Sequence, residues 1–159
     1  MKKIALFDLD GTMADYMGAL LRDANKIRHD LEKKFVSEDF DRDSPKYIEE
    51  RRKMITNQVG WWRNLEELES GRWLYNLLTT WGYEATVLTK APVSKPYVWT
   101  EKYDWCQKHL PEADVKIVSK DKSNTYGHIL VDDWPPYFLP WLENRPRGVV
   151  VMPDHHYHR

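Results

Sequence analysis

Two carboxylates separated by a single residue are the most reactive feature near the start of the chain. The apolar run Ile4–Phe7 leads directly into Asp8-Leu9-Asp10-Gly11-Thr12. If this run is a buried strand and the chain turns at Gly11, both carboxylates lie at the edge where open α/β sheets hold their ligands. Such a pair suits a hard divalent cation such as Mg²⁺, and one carboxylate could then attack a phosphorus atom. An ordinary strand-to-turn boundary is the alternative interpretation.

Two later apolar runs also end in polar side chains. Ala85–Leu88 is followed by Thr89-Lys90, and Ile129–Val131 is followed by Asp132-Asp133. The carboxyl ends of parallel strands meet at one edge of a sheet, so we expect these groups to converge with the opening pair. No single local rule requires acids, a hydroxyl and a lysine at these three places. Their convergence therefore predicts a reaction site.

The elements that must position these groups alternate between strand and helix, which predicts a parallel sheet with helices on both faces. The predicted strands cover about Lys3–Asp8, Ala85–Leu88, Val115–Val118, Ile129–Val131 and Val149–Met152. The predicted helices cover about Ala14–Phe35, Tyr47–Asn57, Glu66–Trp81, Val98–His109 and Tyr137–Glu143.

Apolar residues at steps of three and four set the extent of two of these helices. The first helix is predicted to reach Phe35 on the stripe Leu20, Leu21, Ala24, Ile27, Leu31 and Phe35. The third takes its apolar positions from Leu68, Trp73, Leu74, Leu77 and Leu78. Between Thr12 and Ala85 there is more helix than one crossover needs. This excess predicts a helical cap at about residues 16–63, on a core of about 1–15 and 64–159.

Composition excludes several classes of protein. The 159 residues carry 24 basic and 25 acidic side chains, a formal net charge of −1, which argues against an extended nucleic-acid surface. The hydrophobic fraction of 42% contains no long apolar run, so no membrane span is expected. The apolar run behind Met1-Lys2-Lys3 is too short for a signal peptide. A single cysteine, Cys106, fits a cytoplasmic protein without internal disulfides.

The motifs together resemble those of the haloacid-dehalogenase superfamily and, within it, the small 5'(3')-deoxyribonucleotidases. The residues that carry the resemblance are Asp8-Leu9-Asp10-Gly11, Ala14-Asp15-Tyr16, Leu88-Thr89, Glu101-Lys102-Tyr103-Asp104-Trp105, Asp121-Lys122 and Leu130-Val131-Asp132-Asp133. The resemblance implies an α/β fold with a Rossmann-like, three-layer parallel sheet and a helical cap. It also implies a Mg²⁺-dependent phosphatase that acts on nucleoside monophosphates.

The resemblance also implies roles for the acids. Asp8 is expected to be the nucleophile that forms an aspartyl phosphate. Asp10 is expected to protonate the leaving oxygen and later to activate water. Mg²⁺ would be held by Asp8, the backbone carbonyl of Asp10, and Asp132 or Asp133, with Asp133 favoured as the direct ligand.

Phosphate binding is expected from Thr89 and from lysines. Two lysines match positions in the family, Lys102 near the start of a helix and Lys122 ten residues before the acid pair. We favour Lys102 as the phosphate contact and Lys122 as support for Asp8 and the phosphate. Lys90 is included among the substrate-binding residues, with surface solvation as its alternative.

The nucleobase is expected to contact Tyr16 and Trp62, because aromatic rings stack on bases of any sequence. A hydrophobic clamp between cap and core is the alternative for Trp62. Trp134 stands where the family often has a basic residue, and Lys90-Ala91-Pro92 replaces a Ser-Pro. Both departures leave the deoxy preference and the 5' or 3' position of the phosphate open.

Two other functions remain open from the sequence. One is another phosphatase of the superfamily, such as one that acts on the 3'-phosphate of a nucleic-acid end. The other is a catalytically silent nucleotide-binding protein. A homodimer is possible within the family.

The tail residues His155, His156 and His158 lack the cysteine or carboxylate cluster of a zinc site, so a flexible tail is expected there.

Overall fold

A five-stranded parallel sheet forms the centre of the structure, a computed structural model that describes residues 1–41 and 43–155. Its strands are β1 (Lys3–Phe7), β2 (Tyr83–Lys90), β3 (Asp114–Val118), β4 (Ile129–Val131) and β5 (Val149–Val151). Their order across the sheet is β3-β2-β1-β4-β5, so β1 is the central strand. The prediction of a parallel sheet is confirmed.

Helices cover both faces of this sheet. They are α1 (Tyr16–Lys26), α2 (Lys46–Thr56), α3 (Glu69–Thr80), α4 (Pro96–His109) and α5 (Pro135–Glu143), with a 3-10 turn at Ser37–Phe40. The crossovers through α3 and α4 lead towards one edge of the sheet, and the crossover through α5 leads towards the other. Right-handed crossovers in opposite directions place their helices on opposite faces. The predicted three-layer α/β fold is therefore confirmed.

Alternation along β1 divides the core between these two faces. Phe7 packs with Tyr75 of α3, at a ring-centroid distance of 5.3 Å, in the same apolar cluster as Trp105 of α4. Leu6 points the other way and joins Trp141 of α5. Leu6, Phe7 and Trp141 are completely buried. Burying a side chain of this size stabilises the fold by about 1.5–3 kcal/mol.

Two segments flank the helices that follow β1, one before α1 and one before α3, and they pair with each other. The backbone N–H of Asp15 donates to the carbonyl of Glu66 at 2.8 Å. Gly71 at the start of α3 packs against the first segment, where a Cβ atom would lie 2.1 Å from the carbonyl oxygen of Thr12. Only glycine allows this approach, and it fixes the loop that carries the opening acids.

The first helix is shorter than predicted. It ends at Lys26 instead of Phe35, and Leu31 is 90% exposed. Asn25 stops the helix by pairing with the backbone of Phe35 in both directions, at 2.9 and 3.2 Å. The chain therefore reverses before Phe35, which is buried beside Phe40. The apolar stripe in the sequence therefore extends beyond the end of the surface that α1 buries.

Two smaller predictions also need correction. Strand β2 runs from Tyr83 to Lys90, so it is longer than Ala85–Leu88 and includes Thr89 itself. Trp73 was expected at an apolar position of α3 but is 65% exposed, whereas Tyr75 on the same helix is buried.

In the described ranges, no helix has the length and apolar character needed to cross a bilayer.

Candidate active site

Three carboxylates meet at the carboxyl edge of β1 and β4. The register pairs Phe7 with Val131, and the backbone N–H of Asp8 donates to the carbonyl of Val131 at 2.8 Å. This pairing brings Asp8 beside the acids that follow β4. One carboxylate oxygen from each of Asp8, Asp132 and Asp133 lies within 4.8 Å of the others. Three buried carboxylates at this spacing fit a hard divalent cation such as Mg²⁺.

Lys122 lies between two of these acids and is only 1% exposed. Its Nζ atom is 2.6 Å from Asp8 Oδ1 and 2.7 Å from Asp132 Oδ2. Burial alone would lower the pKa of Lys122, but the two carboxylates outweigh burial and raise it. Burial, together with the charge of Asp8, raises the pKa of Asp132 to about 7. The lysine is therefore held in its charged form between the acids.

Lys102 lies on the opposite side of the opening motif, at the buried face of α4. Its Nζ atom contacts Asp10 Oδ2 at 2.6 Å, Thr89 Oγ1 at 3.1 Å and the carbonyl oxygen of Lys90 at 2.6 Å. Burial raises the pKa of Asp10, and Lys102 opposes that shift. The second oxygen, Asp10 Oδ1, is buried and accepts no hydrogen bond from the described residues.

The two candidate lysines thus occupy different places in one site. Lys122 contacts the predicted nucleophile, and Lys102 contacts the predicted acid–base residue. The preference for Lys102 as the phosphate contact stays a prediction, because its ammonium group is directed at Asp10 and Thr89. Lys90 extends into the same region, with Nζ 4.0 Å from the ring centroid of Tyr137. Burial and the charge of Lys122 lower the pKa of Lys90.

The cap contributes a cluster of three aromatic rings. Tyr16, Trp61 and Trp62 lie with ring centroids 5.1–5.5 Å apart. A base inserted between the rings of Tyr16 and Trp62 would need them about 7 Å apart, twice an ordinary carbon contact. The two rings therefore contact each other, and a base can meet only their outer faces. Trp62 also lies 4.9 Å from the Nζ atom of Lys102.

A buried carboxylate joins this cluster to the core. Glu101 is 1% exposed and accepts hydrogen bonds from the backbone N–H groups of Gly60 at 2.6 Å and Trp62 at 3.1 Å. Its neighbour on α4 is Lys102, which contacts Asp10. Two consecutive residues of one helix therefore hold the cap's aromatic cluster and the acid of the opening motif.

Two adjoining cavities open over these groups, with volumes of about 340 and 330 Å³. Both are lined by Asp10, Tyr16, Arg52, Asp133, Trp134 and Tyr137. The first, which we call the phosphoryl cavity, adds Asp8, Trp62, Thr89 and Lys90. The second, which we call the distal cavity, adds Gly11, Met17, Phe40 and Asp41.

Two lining residues, Arg52 and Tyr137, were missed as site residues by the sequence analysis. Arg52 lies on α2 between the buried residues Ile48 and Ile55, at steps of four and three. A cation on the buried stripe of a helix was the signal that could have identified it. Tyr137 lies in the first turn of α5, just after Trp134, and no local pattern in the sequence marks it as a site residue.

Of the tail histidines, His155 contacts the carbonyl of Gly11, whereas positions 156 and 158 lie outside the described residues.

Comparison with known proteins identifies one matching family. Residues 2–157 match the family described as "5' nucleotidase, deoxy (Pyrimidine), cytosolic type C protein". The comparison with curated proteins found no significant sequence match.

Two solved structures share the fold. A hydrolase from Streptococcus pneumoniae TIGR4 has 13% identity and a TM-score of 0.55, over 99% of this chain and 96% of that one. A haloacid dehalogenase-like hydrolase from Burkholderia xenovorans LB400 has 14% identity and a TM-score of 0.58, over 99% of this chain and 86% of that one. At these identities the likeness concerns the fold alone.

Proposed function

We propose that this chain, which belongs to the 5' nucleotidase, deoxy (pyrimidine), cytosolic type C family, is a Mg²⁺-dependent phosphatase of nucleoside monophosphates. The preferred substrates are deoxyribonucleoside monophosphates, and the reaction passes through an aspartyl phosphate. The observation that carries the proposal is the cluster of Asp8, Asp132 and Asp133, with Lys122 beside Asp8 and Asp10 at the cavity wall.

Asp8 is proposed as the nucleophile. Lys122 holds its Oδ1 atom at 2.6 Å, which orients the carboxylate and leaves Oδ2 to attack. As the new P–O bond to Oδ2 forms, the ester bond to the leaving oxygen breaks. Thr89 and Lys90 line the same cavity, and Lys102 lies 3.1 Å from Thr89 Oγ1. All three are proposed to bind the transferring phosphoryl oxygens.

Asp10 is proposed as the general acid in the first step and the general base in the second. Burial raises the pKa of Asp10, which favours the protonated form that a general acid needs, and Oδ1 has no partner among the described residues. That proton passes to the leaving oxygen of the nucleoside. The resulting carboxylate then takes a proton from the water that attacks the aspartyl phosphate and releases inorganic phosphate. Lys102 holds the other oxygen of Asp10 and so fixes its direction.

Mg²⁺ is proposed to bind Asp8, the backbone carbonyl of Asp10 and Asp133. Asp132 is less suited as a direct ligand, because Oδ2 accepts from Lys122 at 2.7 Å and Oδ1 accepts from the N–H of Trp134 at 2.9 Å. When bound, the cation offsets the repulsion between the anionic nucleophile and the anionic phosphate.

Two alternatives remain from the sequence. A phosphatase of nucleic-acid 3'-ends would need a path for a polymer, whereas cavities of about 330–340 Å³ and a formal net charge of −1 favour a small molecule. A silent nucleotide-binding protein would not need a paired general acid, nucleophile and lysine. The division into a core and a cap at residues 16–63, a cytoplasmic location and a homodimer are also proposals.

Phosphate release from a panel of deoxyribo- and ribonucleoside 5'- and 3'-monophosphates, with Mg²⁺ or with a chelator, tests the function. We expect Mg²⁺-dependent release and a loss on the order of 10³-fold or more in Asp8→Asn. The matched control is Asp114→Asn, at an exposed position of β3. Equal activity of Asp8→Asn and the unmodified protein would disprove the covalent mechanism.

A further inference from the structure

A separate cavity of about 380 Å³ opens at the edge of the sheet opposite the candidate active site. We call it the amino-edge cavity, because Gly127 and His128 in its wall directly precede β4, and Gly148 directly precedes β5. Arg145 and Arg147 complete its polar wall together with a tyrosine, and no aspartate or glutamate lines it in the described part of the chain. The wall therefore suits an anion, unlike that of the acid-lined phosphoryl cavity.

The two arginines keep hydrogen-bond donors for a ligand. Arg145 donates through Nη1 to the carbonyl of Ser123, whereas its Nη2 group has no acceptor among the described residues. Its guanidinium group lies 5.2 Å from the ring centroid of Trp141. Arg147 is exposed and has no ion pair within residues 1–41 and 43–155. A guanidinium group is a planar fork of five N–H donors that matches the oxygens of a phosphate.

Neutral donors face the same cavity. His128 Nδ1 accepts from the backbone N–H of Ile4 at 3.0 Å, which places the proton of the neutral imidazole on Nε2. Nε2 lies 3.3 Å from the hydroxyl oxygen of Tyr126, which accepts that proton and keeps its own O–H to donate. The backbone N–H of Gly127 donates to no other described residue. An oxyanion in the cavity would therefore meet neutral donors as well as two cations.

The loop between β3 and β4 connects this cavity to the candidate active site. The loop carries Lys122, and its last residues line the cavity. Arg145 binds the carbonyl of Ser123, the residue after Lys122. Further along, the N–H of Thr125 donates to the carbonyl of Lys122 at 3.0 Å, and Trp141 Nε1 donates to the carbonyl of Thr125 at 2.9 Å. An arginine of the cavity wall thus also holds the loop that positions Lys122.

We propose that the amino-edge cavity binds the phosphate group of a small molecule, and that the bound phosphate restrains the loop that carries Lys122. Hydrogen bonds between a guanidinium group and a phosphate are charge-assisted, so a phosphate bound to Nη2 of Arg145 fixes the group that holds Ser123. The cavity is larger than the phosphoryl cavity, at about 380 against 340 Å³, so a phosphate ester fits as well as inorganic phosphate. This second site does not require that the protein be a phosphatase.

The test follows the amide NMR signals of the seven glycines in the full chain. Gly127 and Gly148 line the amino-edge cavity, and Gly11 lines the distal cavity, so one titration reports both edges of the sheet. Inorganic phosphate and deoxyuridine 5'-monophosphate are added separately, with a chelator and with chloride to hold the ionic strength constant. We expect saturable shifts of Gly127 and Gly148, and the probe with the lower Kd identifies the source of the phosphate. The amide of Thr125 should exchange hydrogen about threefold or more slowly at saturation.

The deciding variant is Arg147→Gln, which removes one cation from an exposed position of the wall. We expect it to raise the Kd reported by Gly127 and Gly148 about tenfold or more, because charge-assisted bonds to the phosphate are lost. The matched control is Arg22→Gln on α1, which removes the same charge from a half-exposed side chain outside the cavity. It should leave that Kd within about twofold.

Shifts of Gly127 and Gly148 that never saturate, or a Kd that Arg147→Gln leaves unchanged, would overturn the site. Shifts confined to Gly11 would place the phosphate at the candidate active site instead and would also overturn it. Unchanged exchange at Thr125 with the cavity saturated would overturn the connection to Lys122. Failure of the proposed function is a different result, in which the unmodified protein hydrolyses no nucleotide whether or not these glycine signals shift.

Discussion

The two walls of the cavity are built on different physical principles. The core wall consists of opposite charges in short buried pairs, with Lys122 2.6 Å from Asp8 and Lys102 2.6 Å from Asp10. The cap wall consists of aromatic rings in mutual contact, such as Tyr16 and Trp62, and is held by backbone hydrogen bonds. The first arrangement suits the stabilisation of charge that develops during a reaction, and the second suits the recognition of shape.

The difference also concerns what each wall contributes to stability. Carboxylates held within 4.8 Å of one another repel, so the core wall destabilises the fold unless a cation offsets them. The cap wall buries apolar rings, so it stabilises the fold. Changes to the core wall should therefore alter the rate of reaction, and changes to the cap wall should alter substrate affinity.

The largest expected effect comes from Lys122→Met. This change leaves Asp8 and Asp132 buried without their common cation, and breaking a buried ion pair in this way costs about 3–5 kcal/mol of the free energy of unfolding. We expect a loss of kcat on the order of 10³-fold, because Asp8, the proposed nucleophile, loses the group that orients it. Urea denaturation and phosphate release measure the two effects.

Lys120→Met is the matched control, since this lysine is exposed two residues earlier. It should change the free energy of unfolding by no more than about 0.5 kcal/mol. A Lys122→Met protein with unchanged stability would contradict the view that the core wall depends on this cation.

A smaller effect is expected from Mg²⁺ on the melting temperature. A ligand at 100 times its Kd stabilises the folded state by about 2.7 kcal/mol. For a chain of this size, that corresponds to about 5–10 °C. Asp133→Asn should abolish the rise, because it removes one of the three clustered carboxylates. A full rise in Asp133→Asn would place the metal elsewhere.

The Mg²⁺ effect should also depend on pH. The pKa of Asp132 is raised to about 7 from the ordinary value of 3.8, so the folded metal-free protein binds a proton there that the unfolded chain has lost. The stability of the metal-free protein should therefore fall as pH rises through about 7. Because Mg²⁺ favours the ionised cluster, its stabilising effect should grow between about pH 6 and 8. If the stabilisation of the folded protein by Mg²⁺ decreased over this pH range, the prediction would be wrong.

The core wall could be predicted from the sequence because its acids follow directly from strands. Asp8 and Asp132 each end an apolar run, and parallel pairing alone brings such residues together. The choice between the two lysines could not be made, because it depends on how α4 and the loop after β3 pack. Both lysines lie in the candidate site, since Lys102 contacts Asp10 and Lys122 contacts Asp8.

The cap wall was predictable only in part. Tyr16 and Trp62 were identified, but their mutual contact at 5.5 Å depends on the pairing of the segments before α1 and α3, which no local pattern encodes. The first helix was predicted too long because the apolar pattern in the sequence does not indicate where the buried surface of the helix ends. Arg52 was missed because a charged residue on a helix is most often solvated.

The smallest expected effect comes from a change at Glu101, the residue that connects the core wall to the cap wall. Glu101→Gln replaces one acceptor oxygen by an amino group that faces the N–H of Gly60 or Trp62. Losing one buried hydrogen bond should lower the free energy of unfolding by about 1–3 kcal/mol and free the turn that carries Trp62. KM for nucleoside monophosphates should rise about fivefold with kcat within about twofold, and the amides of Gly60 and Trp62 should exchange hydrogen faster.

The control for this variant is Asp104→Asn, which removes a second contact between the same two segments. Asp104 pairs with Arg63 at 3.1 Å, but both side chains are more than 40% exposed, so the pair contributes at most about 1 kcal/mol. If Glu101→Gln lowered kcat as much as KM rose, release of the turn would also have displaced Lys102 and, through it, Asp10. The two walls would then act as one unit, because consecutive residues of α4 would transmit the position of the cap to Asp10, the proposed general acid.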